Sequence, residues 1–270
     1  MAIRDITLGQ YYPADSKVHS LDARTKIIGS VVYLISLFLV KSFTGFALAA
    51  LFFAVVLILS KVPLKFVLKG VKPILFLIIF TMIVNMFATP GEAIAHLGPF
   101  TLTMEGIKRA VFMAVRLILL IFGSSLLTLT TKPMQLTDGL ERLMSPLRKI
   151  GLPAHEIAMM MSIALRFIPT LLDETDKIMK AQTARGADFE SGNILERAKA
   201  LIPLLVPLFV SAFRIAGDLA MAMEARCYRG GDGRTRMNEA RFGSGDYAAF
   251  IVFAVYLVLT VFLRRLTWLI

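Results

Sequence analysis

The chain has 270 residues, 57% of them hydrophobic and 18% charged, with a formal charge of +11 and a mean hydropathy of +0.71. That composition excludes a water-soluble globular domain, and the one cysteine, Cys227, excludes an internal disulfide. In so apolar a chain, excess Lys and Arg is first a signature of cytoplasmic loops, and only then of acidic partners such as nucleic acid.

Residues 1–26 are polar and aromatic and lack the apolar stretch of a cleavable signal peptide. Five apolar runs long enough to span a bilayer follow, at about 27–40, 43–60, 71–87, 107–129 and 247–263. The first is short against the roughly 20 residues a span needs, so Lys26 and Lys41 must snorkel or the bilayer must thin. The break Lys41-Ser42-Phe43-Thr44-Gly45 favours two spans over one long helix.

Charge then sets orientation. Arg4, Lys17, Arg24 and Lys26 precede the first span, and Lys61, Lys65, Lys69 and Lys72 fall between the second and third. Between spans three and four, residues 88–106 carry Glu92 and Glu105 but no Lys or Arg. The positive-inside rule places the N-terminus in the cytoplasm, and four spans return the chain there. Residues 132–241 then hold sixteen of the thirty basic residues. Lys108 and Arg109, and Arg264 and Arg265, run against this pattern at the outer face. The reading is an all-α integral membrane protein with about five transmembrane helices and a cytoplasmic domain of long helices between spans four and five. Its parts are a cytoplasmic segment 1–26, four spans in 27–131, the inserted domain 132–245 and a final span in 246–270.

Arg116 lies within span four, where an ionisable group is a functional candidate; snorkelling beside Lys108 and Arg109 is the preferred reading. Asn85 reads as interhelical glue. The inserted domain opens with an amphipathic helix. Leu136, Leu140, Leu143, Met144 and Leu147 form one face and Asp138, Glu141, Arg142 and Arg148 the other. Pro146 bends or ends it, and Gly151-Leu152-Pro153 is a stop and a new start. Two long segments follow, 154–186 and about 193–227. Each has an apolar first half interrupted by Pro and Arg, and each then turns charged, which suits a re-entrant or interfacial helix better than a span. Each is predicted to begin near the membrane and end well into the cytoplasm.

Both segments end alike, in Ala181-Gln182-Thr183-Ala184-Arg185-Gly186 and Ala222-Met223-Glu224-Ala225-Arg226-Cys227. A cation in a last turn, followed by a small residue, is ordinary helix-end chemistry. Its repetition about forty residues on, with the same alanines, favours a shared binding role. No P-loop, HExxH, GxSxG or paired-carboxylate arrangement occurs, and His19, His96 and His155 are scattered, so the chain reads as non-catalytic. The Gly-rich basic stretch 229–236 is a weak phosphate-cradle signal.

Gly9-Gln10-Tyr11, Ser16, His19, Leu21-Asp22-Ala23-Arg24-Thr25-Lys26, Leu140-Glu141-Arg142-Leu143-Met144-Ser145-Pro146-Leu147, Leu165-Arg166-Phe167-Ile168-Pro169 and the two A-R boxes resemble the transmembrane T component of energy-coupling factor transporters. These are ABC-type importers of vitamins and transition-metal ions. The resemblance covers nearly the whole chain and departs from pattern at Ala23, where Pro is usual, and Cys227, where Gly is usual. It implies a scaffold that couples two cytoplasmic ATPases to one or more membrane substrate-binding S components. Ala184, Arg185, Gly186, Ala225, Arg226 and Cys227 are then the ATPase-docking residues. ATP and Mg belong to the partner ATPases, with no cofactor or metal on this chain. The implied location is a bacterial or archaeal cell membrane. A shared module serving several S components competes with a dedicated cobalt or nickel importer. A secondary transporter is weaker, because matched halves with ionisable groups at mid-membrane are missing. A nucleic-acid binder is weaker too, because the inner basic residues alternate with acids.

Overall fold

The computed structural model describes residues 11–91, 93–97, 100–151, 153–189, 193–230 and 242–266. Its contacts divide the chain into two units, one of Gly9–Gly139 with Glu239–Ile270 and one containing Leu140–Asn238.

The first unit is a helical bundle whose boundaries follow local chemistry. Helix α1, Ala23–Leu39, starts at Asp22, whose carboxylate accepts from the Arg24 N–H. Ala23 is thus the first helical residue, the one interior position where proline is also at home. Helix α2, Phe43–Ser60, is capped by the Ser42 hydroxyl, which accepts from the Gly45 N–H, so the break after Val40 does separate two helices. The third run is helical from further back than the sequence suggests. Helix α3, Leu64–Val71, passes through a tight turn at Lys72–Ile74 into α4, Leu75–Ala88. Pro73 occupies that turn, so the apolar run and its amphipathic lead-in form a bent rod.

Residues 88–106, the outer loop of the sequence reading, contain two short strands, β1 (Ala93–Leu97) and β2 (Phe100–Thr103), paired antiparallel. They leave the fold all-α in its membrane architecture. The Thr103 hydroxyl accepts from the Gly106 N–H and starts α5, Met104–Thr130. Helix α10, Ser244–Leu266, completes this unit.

Helix α5 runs through its centre. It lies antiparallel to α1, since Lys26 meets Thr130, Tyr33 meets Gly123 and Val40 meets Arg116. It lies parallel to α2, where Phe46 packs on Phe112 and Phe53 on Phe122. A Cβ on Gly123 would come within 2.7 Å of the Tyr33 ring, so this glycine is a close-approach position. Tyr33, Leu37, Phe46, Phe53, Leu119, Leu126 and Tyr256 form the buried interior. The Ser36 hydroxyl donates to the Tyr33 carbonyl at 2.6 Å and pairs with the Tyr256 hydroxyl at 2.7 Å. Large apolar side chains face outward instead of in, with Phe76 80% and Ile58 75% exposed. That is the arrangement lipid requires, since outside it the solvent is as apolar as the core.

Among the described residues, six helical stretches are long and apolar enough to cross a membrane: Phe43–Ser60, Leu64–Ala88, Met104–Thr130, Ala154–Ala184, Ile202–Ala225 and Ser244–Arg265. The set differs from the five runs of the sequence reading. Helix α1 has 17 residues and is shorter than these six. The two long helices of the second unit enter by length and composition, despite the Pro and charged residues within them.

In the second unit, α6 (Pro133–Met144), which begins in the first, leads through a tight turn at Ser145–Ile150 to α7, Ala154–Ala184. His155 Nδ1 lies 3.0 Å from Glu141 Oε1 and ties the start of α7 back to α6. The predicted helix over 193–227 is broken into α8 (Ile194–Ala200) and α9 (Ile202–Ala225). Pro203 is the cause: it has no N–H to donate, and its ring crowds the carbonyl four residues back. Pro169 and Pro207 are carried inside α7 and α9.

Candidate functional site

Both A-R boxes form complete Schellman motifs. At the end of α7 the Gly186 N–H donates to Thr183 O and the Ala187 N–H to Gln182 O, each at 3.0 Å. At the end of α9 the Cys227 N–H donates to Glu224 O at 2.8 Å and the Tyr228 N–H to Met223 O at 3.0 Å. Arg185 and Arg226 occupy the same C-cap position, and each is followed by a left-handed residue, Gly186 at φ +89° and Cys227 at φ +57°. The departure from glycine at position 227 leaves the turn unchanged. Cys227 takes a conformation that L side chains enter at a cost of about 1–2 kcal/mol.

Helix capping is therefore done by the backbone of the turn. Neither guanidinium bonds to a last-turn carbonyl, and neither has an ion-pair partner among the described residues. Ala184, Arg185, Gly186, Ala225, Arg226 and Cys227 are all exposed. A Cβ on Gly186 would meet nothing within 4 Å, so this side of the turn is open for another surface to approach. An exposed arginine fork flanked by alanine methyl groups, with no ion-pair partner among the described residues, has the chemistry to pair with a carboxylate or a set of carbonyls.

The relative direction of the two helices corrects the picture of two levers projecting the same way. Ser211 of α9 contacts Glu174 of α7, and Tyr228, just past α9, donates to Met159 near the start of α7. Met159 and Ile163 also share a pocket with Leu219, Met223 and Arg226. Each contact pairs a late residue of one helix with an early residue of the other, so α7 and α9 are antiparallel. Arg226 lies beside the first turns of α7 and Arg185 at that helix's far end. Twenty-six residues separate Met159 from Arg185, so at 1.5 Å per residue the arginines are roughly 40 Å apart.

The other family-like residues serve position. The N-terminal segment is pinned to the end of α5, where the Tyr12 N–H donates to Leu129 O at 2.9 Å. His19 donates from Nε2 to Tyr12 O at 3.0 Å, and its Nδ1 accepts from the Ser16 hydroxyl at 2.7 Å. Lys26 Nζ donates to the carbonyls of His19 and Thr130. Burial and, secondarily, the Lys26 ammonium hold the His19 pKa below its ordinary 6.5, against the backbone hydrogen bonds that raise it. Gly9 and Gln10 lie outside the described residues, as does the 231–236 part of the Gly-rich basic stretch. Arg166 is exposed on α7. Arg116 is partly buried on α5. Its Nη2 donates to Val40 O at 3.0 Å, and the rings of Phe38, Phe46 and Phe112 surround its guanidinium at 5.2–5.9 Å. Only a signal joining residues 40 and 116 could have revealed that in advance.

These features define a multi-pass, all-α membrane protein, with no metal-holding group of His, Cys, Asp and Glu among the described residues. A family profile described as "Cobalt transport protein" (CbiQ) matches residues 14–237. The chain is 54% identical over 266 residues to the energy-coupling factor transporter transmembrane protein EcfT of Thermosediminibacter oceani, covering 98% of this chain and 100% of that one. To the EcfT of Bacillus subtilis it is 47% identical, over 95% of this chain and 97% of that one. The chain belongs to this family of energy-coupling factor transporter transmembrane proteins.

Proposed function

We propose that the chain is the scaffold of an energy-coupling factor importer. It couples ATP hydrolysis on two cytoplasmic ATPase subunits to membrane S components that bind vitamins or other micronutrients. The supporting observation is the pair of identical helix ends, each presenting an exposed, internally unpartnered arginine, about 40 Å apart on an antiparallel pair. Two sites so far apart suit two grooves on separate subunits better than one. Ala184, Arg185 and Gly186 dock one ATPase, and Ala225, Arg226 and Cys227 the other. ATP and Mg are held by those partners. In this reading 1–26 and the coupling domain 132–245 are cytoplasmic, and 27–131 with 246–270 lie in the membrane. Nucleic acid is not a partner. When the ATPases close, the rigid pair rotates and passes that motion to the S component. The name of the matched family profile favours a second reading, a dedicated cobalt or nickel importer; the EcfT-named relatives support the shared module.

The test is the complex purified with Arg185→Glu, Arg226→Glu or both. Each single change should weaken ATPase retention, by about 2–5 kcal/mol at the altered groove, and the double change should abolish it. Lysine should rescue poorly because it lacks the planar fork. A folded double variant that keeps both ATPases and transports at the wild-type rate would refute the docking role. Mass spectrometry of the proteins retained by the wild type separates several S components from one metal-specific partner.

A further inference from the structure

A cavity of about 190 Å³ lies inside the membrane bundle between α1, α2, α5 and α10. Its wall is apolar and aromatic, with Tyr33, Phe52, Phe53, Val56 and Phe253 along it and Val252, half exposed, at its rim. It exceeds the apolar cavity of about 150 Å³ that stays dry and accepts benzene, and along its aromatic stretch it offers water too few polar partners. A half-open apolar slot in a membrane protein has lipid as its surrounding medium.

One end of the slot differs. Where α1 begins and α5 ends, the lining includes Thr25, Lys26 and Thr130. Thr25 is fully buried, and its hydroxyl has no hydrogen-bond partner among the described residues. Lys26 is 7% exposed and gives two ammonium protons to the carbonyls of His19 and Thr130, leaving the third without an acceptor among the described residues. Asp22 and Asp246 lie near it but make no ion pair with it; Asp246 accepts from the Asp22 and Gly243 N–H groups instead. The Thr130 hydroxyl is satisfied by Leu126 O. The polar end therefore holds two buried donors, the Thr25 hydroxyl and the third Lys26 proton, that meet no acceptor among the described residues, and a buried donor without an acceptor is unfavourable. The missing component is an acceptor-rich group joined to an apolar chain.

We propose that this slot holds one acyl chain of a membrane phospholipid, whose ester or phosphate oxygens accept hydrogen bonds from Lys26 and Thr25. The bound lipid fills the slot lined by α1, α2, α5 and α10 and makes the bundle's packing depend on the bilayer. The site is independent of the docking arginines, which lie on the other unit.

The test uses the full chain in phosphatidylglycerol nanodiscs containing a trace of phosphatidylglycerol with a mid-chain diazirine. Irradiation should label peptides carrying Phe52, Phe53 and Phe253. Ala249→Phe, which fills the slot, should reduce that labelling about tenfold, whereas Phe76 and Phe80 on the outer face of α4 should keep theirs within about twofold. Loss of the α4 labelling would mark a misfolded variant, and Ala249→Leu then replaces it as the milder filling. Thr25→Val, which keeps the shape and removes the hydroxyl, should reduce slot labelling several-fold. Slot labelling that survives filling, is indifferent to Thr25→Val, or is matched by a headless diazirine alkane overturns the proposal.

Discussion

At the residue scale, two positions test whether the helix ends are set by backbone conformation or by side-chain chemistry. Gly186 and Cys227 occupy the same left-handed slot, and nothing crowds a Cβ at Gly186. Gly186→Ala should therefore destabilise the chain by about 1 kcal/mol through φ alone, and Cys227→Gly should stabilise it by about 0.5–1 kcal/mol once the greater freedom of unfolded glycine is subtracted. Thermal unfolding of the purified variants measures both, and a less stable Cys227→Gly protein would contradict the strain argument. His19 carries a pH prediction. Its folded pKa lies below the unfolded value, so the unfolded state binds more protons as pH falls through 6.5. The stability from the neutral ring is present above pH 6.5 and is lost as pH drops from there towards the folded pKa. Between pH 7.5 and 5.5 the wild type should lose more thermal stability than His19→Gln; equal losses would exclude His19 as the source.

At the scale of elements, α1 poses the sharpest physical problem. Seventeen residues reach about 26 Å, short of a hydrocarbon core about 30 Å thick, and the carbonyl of its buried C-cap, Val40, needs a donor. Arg116 on α5 supplies the donor, with three aromatic rings around the cation. Removing it should leave the Val40 carbonyl unpaired, at a cost of about 1–3 kcal/mol. Arg116→Leu should lower the unfolding midpoint, with Arg116→Lys between the two, since lysine can reach the carbonyl but cannot lie flat among rings. A rise in midpoint for Arg116→Leu would mean that desolvation of the cation outweighs the bond. The same scale explains the break between α8 and α9. An apolar, helix-favouring run still stops where Pro203 removes a donor.

For the whole molecule, topology follows from charge placement. Basic residues gather before α1, around α3 and in the second unit, away from the Lys/Arg-free stretch 88–106. In a Cys227→Ser background, a membrane-impermeant thiol reagent applied outside intact cells should label Pro90→Cys and spare Lys180→Cys. The reverse pattern would invert the assignment.

Much was legible in the sequence because much of it is local. Composition places the chain in a membrane, apolar runs mark most of the helices, and the break Lys41-Ser42-Phe43-Thr44-Gly45 separates α1 from α2. The two alike helix ends were legible as well, since a Schellman turn is written in a handful of consecutive residues. Tertiary structure alone decided that α7 and α9 are antiparallel, so that their arginines stand far apart. It alone gave Arg116 a partner seventy-six residues away and left an apolar slot with a polar end between four helices. Hydropathy and caps depend on a residue and its neighbours along the chain. The direction and contacts of two helices depend on which side chains interlock across a gap, and in lipid, where burial barely distinguishes one apolar face from another, only packing and polar pairing make that choice.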